Sequence, residues 1–167
     1  PIHLVDTPGL SEGALSDSWG SAEVEGRYLT SQPGVTWIDG LLRTEAVNSL
    51  RQFCMGSTVW SDFKYSGGYV GTSLANGFAN GLLLQIAREL RARLPGLLAD
   101  HPLRQMWAYK YDQELTGIGV HADSAAVNVN FWITPDEANL NQASGGLRVW
   151  RKCAPMDWDF EAFNRQP

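Results

Sequence analysis

Trp107-Ala108-Tyr109-Lys110-Tyr111, then Gly117-Ile118-Gly119-Val120-His121-Ala122-Asp123, then Val127-Asn128-Val129-Asn130-Phe131-Trp132-Ile133-Thr134, closing on Ser144-Gly145-Gly146-Leu147-Arg148-Val149-Trp150, is the stretch whose reading decides the fold. Short apolar runs and period-two alternation, separated by polar or glycine-rich turns, predict strands over 106–111, 118–123, 126–134 and 147–150. On an extended strand, side chains two apart share one side. That rule puts the His121 imidazole and the Asp123 carboxylate where both can reach one metal ion.

Upstream the pattern changes. Leu42, Ala46, Val47, Leu50 and Phe53 recur at helical spacing and predict a helix over 44–55, with Thr44 as N-cap. Phe78, Leu82, Leu83, Ile86, Leu90 and Leu94 predict a second over 78–94, interrupted at Pro95-Gly96 before a further turn over 97–100. Val35–Ile38 and Thr58–Tyr65 read as short strands, and 69–80 as a loop. Residues 1–34 form a loop-rich lead-in, and 35–167 the folded domain. Helices precede a β-rich half, which makes the class α+β rather than alternating βαβ.

Composition narrows the function classes. With 167 residues, 44% of them hydrophobic and 19% charged, the chain suits one globular unit with a real core. The formal charge of −5 argues against a nucleic-acid binder. No apolar run is long enough to span a bilayer, and no signal-peptide pattern is present. Cys54 and Cys153 stand far apart without metal-type spacing and read as reduced thiols in a cytoplasmic protein, with a single disulfide as the alternative. Of the seven tryptophans, several fall in apolar runs, such as Trp37 and Trp132, and read as core or pocket wall. The chain begins at Pro1 rather than Met and stops at Pro167, so both ends read as cut.

An imidazole and a carboxylate are two of the three ligands of the facial site used by non-haem Fe(II) oxygenases. The plainer reading makes His121 a strand-end polar residue and Asp123 a turn cap. The other histidines, His3 and His101, lie upstream, and none follows His121. The ordered set of segments, from the tyrosine-bearing strand through His121-Ala122-Asp123 to the Gly145-Gly146 turn, resembles the prolyl-hydroxylase-like branch of the 2-oxoglutarate and Fe(II)-dependent dioxygenases. Trp37-Ile38-Asp39-Gly40-Leu41-Leu42-Arg43-Thr44-Glu45-Ala46 is similar to that family's first strand and supporting helix. The likeness covers roughly residues 35–160.

The resemblance implies a double-stranded β-helix (jelly-roll, cupin-like), incomplete at its C-terminus, with two supporting helices. It implies Fe(II) held by His121 and Asp123, with 2-oxoglutarate and O₂ as cosubstrates. It implies Tyr109 or Tyr111 lining the 2-oxoglutarate pocket, with Asn130 a further lining residue. The substrate would be a small molecule or a protein side chain. Core packing is the plainer role for the tyrosines, and a solvent-facing position the plainer one for Asn128 and Asn130. The family's distal His and the basic partner of 2-oxoglutarate have no counterpart here, and Arg148 and Arg151 fall too early. The expectation is therefore a fragment of a longer dioxygenase, itself inactive. The alternative is a non-catalytic binding module; a cupin-type metal enzyme is disfavoured by the scarcity of histidines.

Overall fold

The computed structural model describes residues 2–63, 68–111, 120–143, 145–152, 155 and 157–165. Expectations at Asp112–Gly119, Ser144 and Cys153 lie outside those residues, as does part of the Thr58–Tyr65 segment.

Three helices build the core. α1 (Ser21–Thr30), α2 (Thr44–Gly56) and α3 (Gly81–Arg93) are followed by the single turn α4 (Pro95–Leu98). The apolar stripe of α3 puts Leu82, Ile86 and Leu90 inward. They meet Ala46 and Leu50 of α2, Val24 of α1, Leu94, Leu98, and Ala14 and Leu15 of the lead-in. Asn80 caps α3 by accepting from the Leu83 N–H at 2.8 Å. Arg43, not Thr44, stands at the N-cap of α2, with no side-chain cap bond.

The lead-in is a pinned strap. The Gln85 amide accepts from the Leu10 N–H at 2.6 Å and donates to the Leu10 carbonyl at 2.8 Å. Arg93 donates to the carbonyls of Ser16 (2.6 Å) and Trp19 (3.0 Å), and its guanidinium lies 3.9 Å from the Trp19 ring centroid. Gly81 lets the strap pass closely, since a Cβ there would stand 3.0 Å from the Gly9 nitrogen.

A second core cluster of Phe53, Val59 and Phe78 meets the first through Leu83. It is covered by the sheet β1 (Tyr69–Ser73) and β2 (Trp107–Tyr111), paired antiparallel with Tyr69 opposite Tyr111 and Gly71 opposite Tyr109. Asp62 and Gly71 exchange two backbone bonds on the far side of β1. Met106 and Ala108 pack on this cluster. By the period of two, Trp107, Tyr109 and Tyr111 take the opposite face.

The double-stranded β-helix implied by the resemblance is overturned. Among the described residues there is one two-stranded sheet with five helices, the last being α5 (Phe160–Asn164). The described parts of 118–123, 126–134 and 147–150 form no strand. Alternation records which side chains suit a pleat, but a strand exists only where a neighbour exchanges hydrogen bonds with it. Among the described hydrophobic residues of this region, Val127 and Ile133 pack on the main core, and the Arg51 guanidinium donates to the Ile133 carbonyl.

Smaller expectations also change. Val35–Ile38 pairs with no strand, whereas Tyr69–Ser73, expected as loop, is β1. The lead-in contains α1. Trp37 and Trp132, expected in core or pocket wall, are exposed, as are Trp150 and Trp158.

Candidate metal centre

His121 and Asp123 sit in a segment without sheet pairing, beyond β2. Their side chains nonetheless converge, with His121 Nε2 3.6 Å from Asp123 Oδ1. Two donors held about 2.1 Å from one ion at tetrahedral or right angles stand about 3.0–3.4 Å apart. A shift of a few tenths of an ångström would bring this pair to that spacing. Both side chains are partly open, at 46% and 34% exposure.

Two further side chains frame the pair. Asn128 Nδ2 donates to Asp123 Oδ2 at 2.8 Å, which occupies one carboxylate oxygen and leaves Oδ1 directed at the imidazole. Asn164 reaches back from α5 and bonds Ala122 twice: its Oδ1 accepts from the Ala122 N–H at 2.9 Å, and its Nδ2 donates to the Ala122 carbonyl at 2.8 Å. α5 itself is built locally. Asp159 caps it by accepting from the Ala162 N–H at 2.9 Å, Trp158 stacks on Phe163 with centroids 4.2 Å apart, and Arg165 pairs with Glu161 at 2.7 Å.

The other expected site residues have surroundings of their own. Tyr109 and Tyr111 gather with Tyr69, at centroid separations of 5.6 Å (Tyr69–Tyr109), 5.3 Å (Tyr69–Tyr111) and 6.4 Å (Tyr109–Tyr111). Burial, with a smaller contribution from Tyr69, pushes the Tyr111 hydroxyl above its ordinary pKa. Beside this cluster opens a shallow cavity lined by Phe63, Gly68, Tyr69, Val70, Lys110 and Tyr111. Lys110 lies 4.4 Å from the Trp60 ring centroid, and burial lowers its pKa against the opposing influence of Cys54. Asn130 is exposed.

The donors present suit a borderline divalent cation, which takes imidazole nitrogen and carboxylate oxygen alike. The set stops at two: among the described residues, no group of three or more His, Cys, Asp or Glu side chains is placed to hold a metal. The imidazole–carboxylate pair was legible in the spacing of His121 and Asp123. The part of Asn164 was not, because its contact spans 42 residues and leaves no local pattern. No helix among the described residues is long and apolar enough to cross a membrane. Comparison with protein-family models, with curated proteins and with solved structures returns no match.

Proposed function

We propose that His121 and Asp123 serve as two protein ligands of an Fe(II) centre that uses 2-oxoglutarate and O₂ to hydroxylate a small molecule or a protein side chain. The observation that carries this reading is the 3.6 Å approach of His121 Nε2 to Asp123 Oδ1 in a segment where no strand ladder enforces it. The order of segments from Trp107 to Trp150 supports it from the sequence side. Bound Fe(II) supplies the oxidative chemistry. His121 offers a neutral nitrogen and Asp123 a negative oxygen. Asn128 holds the second carboxylate oxygen and so favours one-oxygen ligation. The remaining protein ligand is not among the described residues.

A titration of the metal-free chain with Co(II), followed by its visible absorption, tests the proposal. One equivalent should bind, and His121→Ala and Asp123→Asn should each weaken binding at least about tenfold. Binding unchanged in both variants would end the metal reading. Succinate release from 2-oxoglutarate by the longer protein, lost in His121→Ala, would extend it to the reaction.

A second reading, a non-catalytic binding module, is favoured by one observation: Val129, Phe131, Trp132, Leu147, Val149 and Trp150 are all exposed within the same region. Large apolar side chains left exposed along one stretch of chain suit a contact surface better than redox chemistry. Stoichiometric Co(II) uptake that depends on His121 would count against it.

A further inference from the structure

We infer that Asn164 is the positioning residue of the His121–Asp123 pair; this rests on the metal reading above and extends it to a residue 41 positions beyond Asp123. One carboxamide makes both bonds to Ala122, accepting from its N–H at 2.9 Å and donating to its carbonyl at 2.8 Å. Only one orientation of the amide satisfies both, because the acceptor must face the N–H and the donor the carbonyl.

The consequence follows from the covalent geometry. The Ala122 N–H belongs to the peptide plane shared with His121, and the Ala122 carbonyl to the plane shared with Asp123. Peptide units are rigid, so two soft dihedrals at Ala122 set how those planes lie relative to each other. Holding both planes from one side chain fixes the two dihedrals. It thereby fixes how the Cα atoms of His121 and Asp123 are placed relative to each other, and so the spacing from which the two side chains converge. In a sheet this task falls to the ladder. Here the segment has no ladder, and the amide clamp stands in its place. Asn128 then sets the rotation of the Asp123 carboxylate through Oδ2. Partners outside the ligand set that orient the ligands commonly govern metal affinity by about 10–100-fold.

Linkage makes the effect reciprocal. If the clamp favours the converged pair, an ion held by the pair strengthens the clamp and slows the opening of α5. The 167-residue chain, metal-free and then titrated with Co(II), is measured by hydrogen–deuterium exchange at the Ala122 amide and by Co(II) affinity. In the wild-type chain the Ala122 amide should be protected, and more so with Co(II). Asn164→Leu should exchange about tenfold faster there and bind Co(II) about tenfold more weakly. Asn164→Asp keeps an acceptor for the N–H but loses the donor, and should fall between. Arg165→Ala, which removes only the Glu161 pair on the same helix, should match the wild type in both measurements.

An unprotected Ala122 amide in the wild-type chain overturns the clamp. Wild-type Co(II) affinity in Asn164→Leu, with Asp123→Asn still impaired, overturns the positioning role and leaves the metal reading standing. Equal Co(II) uptake by wild type and Asp123→Asn overturns the metal reading and the positioning role with it.

Discussion

Glu89 collects three donors at the strap. Its carboxylate accepts from the N–H groups of Ala14 and Leu15, each at 2.9 Å, and from Gln85 Nε2 at 2.7 Å. Burial alone would raise its pKa. The bonds from Leu15, Ala14 and Gln85, with the charge of Arg43, outweigh burial and hold the carboxyl below its ordinary value of 4.5. A lowered folded-state pKa means stability that is present above the unfolded value and lost as pH falls through the folded one. Urea denaturation should therefore show Glu89 contributing at neutral pH, with that contribution fading from about pH 4.5 downward. Glu89→Gln should flatten this part of the pH profile. Glu89→Ala, which strands two backbone donors, should cost about 2 kcal/mol at pH 7. Its partners in the strap lie 74 and 75 residues away, and nothing in the local sequence announces them. The imidazole–carboxylate convergence was readable by contrast, because i and i+2 is a local relation.

At the level of elements, legibility follows how much apolar surface a segment buries. α2 and α3 bury three residues each at helical spacing, and both were expected at nearly their observed bounds. α1 buries Val24 alone, so it carries no stripe to read. β1 contains Gly71 and is held by pairing on both sides, to Tyr109 in β2 and to Asp62, which a one-dimensional pattern does not contain. Leu82 is fully buried on α3, whereas Leu84, two residues on, is 43% exposed. Leu82→Ala should lower unfolding free energy by about 2–5 kcal/mol in a urea titration. Leu84→Ala should change it by less than about 0.5 kcal/mol. Similar losses at both positions would contradict the orientation of α3.

Across the whole molecule, the helical half is packed and the described residues from 120 to 165 are largely open to solvent. The expected rolled sheet failed at this scale, although one strand bounding it, β2, was placed correctly. Alternating residues at 127–134 describe a surface ready to be paired; the pairing itself is a property of neighbours in space. Trp37, Trp132, Trp150 and Trp158 range from 46% to 65% exposed. Acrylamide should therefore quench much of the tryptophan emission of the folded chain. Replacing Trp132 and Trp150 with Phe should remove a disproportionate share of the quenchable signal. A folded chain whose fluorescence resists acrylamide would contradict the open arrangement.

The strap has a consequence for how the chain is made. Synthesis runs from the N-terminus, so Leu10, Ala14, Leu15, Ser16 and Trp19 emerge long before the residues that hold them. Gln85, Glu89 and Arg93 arrive about 75 residues later on a single helix. The nascent chain must therefore wait for α3, and its main core cannot close until that helix has been made to hold a segment translated about 75 residues earlier.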